Sequence, residues 1–133
     1  MHFEQPLTTF NMVQFLKFRI LSFKYAFRGL WLLVKSEHSV IAQVFIAVVL
    51  ICLGFYFKIS QQDWINQLLV IGLVLGIEGM NTAVEKLADF VHEDQHPRIG
   101  FIKDISAGAV AFAALFGFVV VALIYLPYLR TNA

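Results

Sequence analysis

The chain has 133 residues, of which 59% are apolar and only 14% are charged, a composition that excludes a water-soluble fold of this size. A formal net charge of +1 provides no basic field, so a nucleic-acid-binding protein is excluded as well. The single cysteine, Cys52, can form neither an intrachain disulfide nor a cysteine-based metal site. We therefore expect residues 1–133 to form one domain in the membrane.

The first predicted element is an amphipathic helix over residues 10–35. Its five cations lie among aromatic and aliphatic residues, and no acidic residue interrupts them, which is typical of a helix that lies on a membrane surface. The positive-inside rule places this helix and the N-terminus in the cytoplasm. The preceding residues include Glu4 and Pro6 instead of a basic segment that leads into a short apolar core, so we expect no cleaved signal peptide.

Three transmembrane helices are predicted next, over residues 39–57, 64–88 and 104–129. About 20 apolar residues cross the hydrocarbon core, and the first and third segments contain such runs. The second segment carries Glu78 and Glu85, so it can span the membrane only if its polar end lies inside protein or at the interface. The predicted fold is thus an all-α membrane protein, in which a surface helix precedes three transmembrane helices and the second of these extends into the cytoplasm.

A polar stripe marks the second transmembrane helix. Glu78, Asn81, Glu85 and Asp89 stand at offsets of three, seven and eleven residues, which places them on one helix face. Glu78 and Glu85 are separated by about 10 Å along the helix axis. Glu78 is the deepest of these acids and the most costly one, because a carboxylate in apolar surroundings must be paired or protonated.

Four further polar residues are predicted to reach the same cytoplasmic interface: Glu37, Asp94, Lys103 and Asp104. Carboxylates combined with a lysine suit a Mg²⁺ ion that is held by oxygen ligands and a polyphosphate that is bound by the ammonium group. The sequence contains no Walker-type loop, no GxGxxG turn and no GxSxG elbow. Any nucleotide chemistry therefore requires a site of a different kind.

Other interpretations of these residues stay open. Asn81 is equally suited to bonding a neighbouring helix, and Lys103 with Asp104 is suited to a helix-start pair that reaches the interface. The charged run 92–94 is typical of a solvated turn. Lys86 falls off the stripe and is predicted to face solvent or lipid headgroups.

Three segments carry a specific pattern of residues: Glu78-x-x-Asn81-Thr82-Ala83-x-Glu85-x-x-x-Asp89, His96-Pro97, and Lys103-Asp104-x-x-Ala107-Gly108-Ala109-Val110. They resemble the small prokaryotic diacylglycerol kinase and undecaprenol kinase family. The resemblance continues upstream in Ser22-Phe23-x-Tyr25-Ala26-x-x-Gly29 and in Glu37, and it covers about residues 19–128. Proteins of this family are three-span homotrimeric enzymes with an amphipathic N-terminal helix.

The resemblance implies an ATP- and Mg²⁺-dependent kinase that phosphorylates a lipid alcohol, undecaprenol or diacylglycerol, at the cytoplasmic face of the bacterial cytoplasmic (inner) membrane. Thr82 matches the undecaprenol-type branch. By the same resemblance, Glu78 is the general base, Glu37 and Glu85 hold Mg²⁺, and Asn81 orients Glu78 or the substrate.

The nucleotide site that the resemblance implies is lined by a further set of residues. Lys103 and Asp104 line it together with Asp94 and His96, and Tyr25 closes it from the surface helix. Asp89 supports the metal or nucleotide shell.

The sequence departs from the family at three positions after Glu37. The family has Asn, Arg and His two, four and six residues on, where this chain has Ser39, Ile41 and Gln43. Polar groups expected at the lipid-facing entrance are therefore lost, which bears on substrate preference. The acids with the main roles and Lys103 remain, so the sequence predicts an active enzyme.

Two alternatives belong to other functional classes. One is a non-catalytic membrane oligomer, in which Glu78 and Asn81 line an ion pathway. The other is a pseudo-enzyme that binds lipid or nucleotide without turnover. The combination of Lys103 and Asp104 with Glu37 favours the kinase, because a pore does not need such a group at its cytoplasmic end.

Overall fold

The computed structural model describes residues 12–91 and 96–131. They form four helices, α1 (Met12–Ser36), α2 (His38–Phe57), α3 (Gln61–Val91) and α4 (Pro97–Thr131), and no strand occurs in these two ranges. By length and composition, α2, α3 and α4 can each cross a membrane. The prediction of an all-α membrane protein with one preceding helix and three transmembrane helices is confirmed.

Helix α1 is amphipathic and remains outside the bundle, since none of its residues is buried. Four of its five cations, Lys17, Lys24, Arg28 and Lys35, share one face because they are spaced by seven, four and seven residues. The helix meets the bundle near its last turn, where a Cβ atom added to Gly79 of α3 would lie 3.2 Å from Leu33 Cδ1.

A short turn joins α2 to α3. Lys58 takes the left-handed conformation, with φ 51° and ψ 49°, and the amide of Ile59 bonds back to Gly54 O at 3.1 Å. Ser60 then starts α3, because its Oγ accepts the Asp63 amide at 3.2 Å and donates to Asp63 Oδ2 at 2.7 Å. Ser60 is thus the N-cap of α3, a residue type that is strongly preferred at this position.

Helix α4 begins at Pro97 rather than at residue 104, where the apolar run led us to expect its start. Proline suits the first helical position because its missing N–H group has no partner there in any case. His96 stands just before it, and its Nδ1 accepts the Arg98 amide at 3.2 Å. The early start follows from this cap.

We call the end of the bundle that carries the α2–α3 turn the turn end. A polar network joins the three spans there. Gln67 is fully buried, donates to Leu50 O of α2 at 3.1 Å, and lies 2.7 Å from the Tyr125 hydroxyl of α4. Nearer the turn, the Tyr128 hydroxyl accepts the Ser60 amide at 2.9 Å and donates to Asp63 Oδ2 at 2.8 Å. These bonds satisfy polar groups that neither lipid nor a dry core can satisfy.

Candidate active site

The opposite end of the bundle, which we call the carboxylate end, contains the polar stripe of α3. Glu78, Asn81 and Thr82 are all buried there, with Glu78 only 5% exposed. The Glu78 carboxylate lies between α2 and α3 and accepts a hydrogen bond from Gln43 Nε2 to its Oε2 at 3.0 Å. Within the described part of the chain, Glu78 forms no ion pair. A neutral amide, and not a cation, therefore holds the deepest acid.

Asn81 bonds along its own helix. Its Nδ2 donates to Glu85 Oε1 at 3.0 Å, one turn further on. The bond thus goes to Glu85, and the role in orienting Glu78 or the substrate that the resemblance implies for Asn81 stays a prediction. The other end of the amide, Asn81 Oδ1, is buried and has no partner among the described residues. Asn81 therefore presents an unpaired oxygen close to a carboxylate.

Glu37 lies in the junction between α1 and α2, with extended backbone at φ −111° and ψ 113°. Its Oε1 lies 3.0 Å from Lys86 Nζ of α3 and also accepts the Ser36 hydroxyl at 3.1 Å. The Lys86 ammonium, and after it the Ser36 hydroxyl, hold the pKa of Glu37 below its ordinary value. The Glu37 side chain is 18% exposed and that of Lys86 is 69% exposed. Lys86 therefore extends from solvent to Glu37, one of the two predicted metal ligands.

Asp89 and Lys103 form an ion pair, the fourth polar pair at the carboxylate end. The Lys103 ammonium of α4 donates to Asp89 Oδ1 near the end of α3. The pair ties the first turns of α4 to the last turns of α3, across the segment that connects them. It also brings together two of the residues predicted to line the nucleotide site.

Helix α3 is therefore common to four polar pairs: Gln43–Glu78, Asn81–Glu85, Glu37–Lys86 and Asp89–Lys103. Their other members come from α2, from α3 itself, from the α1–α2 junction and from α4. The spacing on α3 predicted which α3 residues share a face, and the fold supplies the partners.

The remaining predicted site residues are placed differently. Tyr25 is 64% exposed on α1, and Asp104 is exposed on α4. Neither bonds to the four pairs within the residues that the structure covers. His96 caps α4. Asp94 lies outside the described residues.

The residues at this end fit a hard cation such as Mg²⁺. In the two described ranges, no group of three or more His, Cys, Asp or Glu side chains is arranged for a metal ion. Mg²⁺ does not require one, because it commonly takes one or two carboxylates and fills its other positions with water and phosphate oxygens. Glu37 and Glu85 would supply carboxylates, and the unpaired Asn81 Oδ1 beside Glu85 would supply an amide oxygen.

Sequence reasoning missed two residues of this end. Gln43 was read only as the loss of a family histidine, although a lone amide in an apolar span is itself a sign of a buried bond. Lys86 is exposed, as expected for a residue that faces solvent or headgroups, but its pairing with Glu37 was not predicted. No sequence signal predicts that pair, because it depends on how the α1–α2 junction lies against α3.

The fold and the site define an integral membrane protein whose carboxylates, amides and lysines meet at one end of a three-span bundle, the residue types that phosphoryl transfer uses. Residues 24–125 match the family model of the prokaryotic diacylglycerol kinases. The chain belongs to this family, and it is a lipid kinase. A membrane setting and a lipid substrate follow from that membership.

Two similar proteins agree on the class and differ in the lipid they are named for. The chain is 32% identical over 108 residues to the undecaprenol kinase of Bacillus subtilis (strain 168), which covers 81% of this chain and 88% of that protein. It is 31% identical over 92 residues to the diacylglycerol kinase of Haemophilus influenzae, which covers 69% of this chain and 78% of that protein. The expected family is confirmed, and the lipid stays a separate question.

Proposed function

We propose that this chain transfers the γ-phosphate of ATP, with Mg²⁺, to the hydroxyl group of undecaprenol or diacylglycerol. The observation that carries the proposal is Glu78, a buried carboxyl group in the span that accepts a hydrogen bond from a neutral amide and forms no ion pair with any described cation. Such a group is positioned to accept a proton from an alcohol that enters from the bilayer.

In the proposed reaction, Glu78 accepts the proton of the lipid hydroxyl, and the hydroxyl oxygen forms a bond to the γ-phosphorus. The bond between that phosphorus and the β–γ bridging oxygen breaks, and ADP leaves. Positioning and neutralisation of charge supply most of the catalysis of phosphoryl transfer. Glu37 and Glu85 would hold Mg²⁺, which when bound supplies that neutralisation on the phosphate oxygens.

The nucleotide is proposed to bind at the carboxylate end beyond Glu85. Lys103 and Asp104 would contact it together with Asp94 and His96, and Tyr25 would cover it from α1. The bond of Lys103 to Asp89 supports this placement, because it keeps the ammonium at the end of the bundle where Glu85 lies. Asp89 would then support the bound nucleotide through Lys103.

We place the carboxylate end at the cytoplasmic face of the bacterial cytoplasmic membrane, with the N-terminus in the cytoplasm. The cations of α1 support this orientation, since positively charged segments stay on the cytoplasmic side. We further propose a homotrimer. Its support is the family resemblance and the polar stripe of α3, which the three transmembrane helices of one chain are too few to enclose.

Of the two lipids, we favour undecaprenol. Thr82 supports it through the family pattern, and so does the name of the Bacillus subtilis relative. Diacylglycerol is the competing substrate, by the name of the Haemophilus influenzae relative.

Transfer of labelled phosphate from ATP in mixed micelles tests the proposal, with both lipids offered side by side and Mg²⁺ added or chelated. We expect labelled undecaprenyl phosphate in the larger yield, and product only when Mg²⁺ is present. With Glu78→Gln the rate should fall by about 10²- to 10⁴-fold. That substitution keeps an acceptor for the Gln43 amide, so the bundle is expected to stay intact. A folded wild-type chain that labels neither lipid would refute the proposal, and nucleotide binding without product would identify a pseudo-enzyme.

A further inference from the structure

Two glutamines lie between the transmembrane helices, and their amide groups are paired differently. Gln67 at the turn end is completely buried and has both ends of its amide paired, through Leu50 O and the Tyr125 hydroxyl. Gln43 on α2 has only its Nε2 paired, with Glu78 Oε2. Its Oε1 is buried and unpaired within the described residues.

An unpaired buried oxygen is unfavourable for stability, because it loses its hydration without gaining a bond. The surroundings of Gln43 would suit an apolar side chain. It lies in the apolar run of α2 and lines a groove of about 390 Å³ whose other lining residues, from α2, α3 and α4, are all apolar. Helix packing therefore gives no reason for an amide at this position, and the bond to Glu78 is what distinguishes Gln43 from its neighbours.

We propose that Gln43 is a positioning residue for Glu78, a role that rests on the proposed function of Glu78 as the base. Its amide N–H holds one carboxylate oxygen, Oε2, and thereby limits rotation about the last side-chain torsion of Glu78, which is otherwise broad. The second oxygen, Oε1, is then kept in one direction for the proton of the lipid hydroxyl. A neutral donor can do this without forming an ion pair that would hold the negative charge in place.

The position of Gln43 also links the base to the bilayer. The groove that it lines runs between all three transmembrane helices and is apolar, whereas Glu78 begins the polar stripe that leads to the carboxylate end. Gln43 stands where these two regions meet. A residue at this boundary affects how the alcohol meets the base, and among the described residues its side-chain hydrogen bond goes to Glu78 and not to a residue proposed to bind the nucleotide.

The test compares Gln43→Met with Gln67→Met, the same substitution at the two ends, in the full chain and in the mixed-micelle assay. Methionine is similar in size and has no N–H donor. We expect Gln43→Met to lower kcat by about 10²-fold, the effect of a misplaced reacting group, with the KM for ATP unchanged. The unfolding midpoint should change little, because removal of the buried, unpaired Gln43 Oε1 offsets the loss of the donor to Glu78 Oε2. Gln67→Met is expected to lower the unfolding midpoint and to leave kcat of the folded fraction unchanged.

Gln43→His provides the rescue. Neutral imidazole carries one N–H donor whichever tautomer it adopts. If the donor is the essential feature, kcat of Gln43→His should be at least about tenfold higher than that of Gln43→Met. The inference is overturned if Gln43→Met turns over at the wild-type rate, or if it loses rate only together with ATP affinity and the unfolding midpoint. A wild-type chain that phosphorylates neither lipid removes the proposed function, and this inference with it. An active wild type with an unaffected Gln43→Met removes this inference alone.

Discussion

Buried polar groups occur at both ends of the bundle, and the two ends differ in how completely one chain satisfies them. At the turn end, Gln67 bonds with Tyr125 and with the backbone of α2, while Tyr128 joins Asp63 to the α2–α3 turn. None of the described side chains at this end keeps a buried oxygen without a partner. This network is complete within the chain, and its role is to hold the three spans together.

The carboxylate end is incomplete by comparison. Gln43 and Asn81 each bury an oxygen that has no partner among the residues described, and the buried carboxyl group of Glu78 is bonded to a neutral amide and to no described cation. Buried polar groups in membrane proteins are expensive and mark functional positions. A polar network that is satisfied within the chain is structural, whereas an unsatisfied one requires a group from outside the chain. We propose that these groups are the substrates, Mg²⁺ and neighbouring subunits.

The largest effect is expected when a carboxylate is replaced by its amide, once at the carboxylate end and once at the turn end. Glu78→Gln removes the proposed base and should lower kcat by about 10²- to 10⁴-fold, with little change in stability. Asp63→Asn removes a charge in the first turn of α3 and should lower the free energy of unfolding by about 0.5–1 kcal/mol while kcat stays constant. Initial rates and denaturant unfolding in micelles measure both. Equal loss of activity in the two variants would contradict the division between the ends.

Tyr125→Phe is the next largest change. The substitution removes the hydroxyl that lies 2.7 Å from Gln67 Oε1, and it leaves that buried oxygen unpaired. Hydrogen bonds between transmembrane helices contribute about 0.6 kcal/mol on average and up to about 1.7 kcal/mol, so a loss of stability in that range is expected, with unchanged kcat. Tyr56→Phe is the control, because Tyr56 is exposed and no hydrogen bond of its hydroxyl is expected to be lost. A fall in kcat for Tyr125→Phe at full stability would show that the turn end also serves catalysis.

Lys86→Met tests the carboxylate end more finely. The Lys86 ammonium and a metal ion would compete for Glu37, so its removal should lower the Mg²⁺ concentration at half-maximal rate by roughly threefold, as suits an exposed ion pair. Because the pKa of Glu37 is lowered, the pair is present above the ordinary pKa of that carboxyl and is lost as pH falls through the lowered value. The wild type and Lys86→Met should therefore differ in the Mg²⁺ concentration at half-maximal rate at neutral pH, and this difference should disappear in acid.

Binding of Mn²⁺, followed by electron paramagnetic resonance, gives a second measure of the Lys86→Met effect without turnover. Lys58→Met removes a cation from the turn end and serves as the matched control. An unchanged affinity for metal in Lys86→Met would show that Glu37 is not a metal ligand.

The smallest effect is expected at the α2–α3 turn. Lys58 holds a positive φ of 51°, a conformation that glycine adopts without a steric penalty. Lys58→Gly should therefore stabilise the bundle by less than about 1 kcal/mol, the gain being reduced by the greater freedom of glycine in the unfolded chain. Lys58→Ala, which retains a Cβ atom, should be neutral. A destabilised Lys58→Gly would show that the turn depends on the lysine side chain.

Much of the fold could be predicted from the sequence, because apolar runs and the bilayer together define the spans. The start of α4 could not be predicted from apolarity alone, since the cap formed by His96 and the proline after it extend the helix through polar residues. The face shared by Glu78, Asn81 and Glu85 followed from helical spacing, and all three occupy the carboxylate end.

The partners of that face could not be predicted, for a physical reason that Gln43 and Lys86 illustrate. Gln43 interrupts the apolar run of α2 and indicates a bond between helices, but the sequence does not indicate which residue it bonds. The rotation that brings Gln43 to Glu78 depends on packing between helices. Lys86 reaches Glu37 only because the chain bends at the α1–α2 junction and passes α3 there.

By itself, the sequence determined the number of spans, the helix that carries the acids, the face they share and the family pattern they form. These properties depend on residues close together in the chain, where helical periodicity and the length of an apolar run are sufficient. The tertiary structure alone decided that Glu78 is held by an amide, that Glu37 pairs with Lys86, and that the turn end is satisfied while the carboxylate end is not. Those outcomes depend on the rotation and approach of whole helices, which local sequence does not encode.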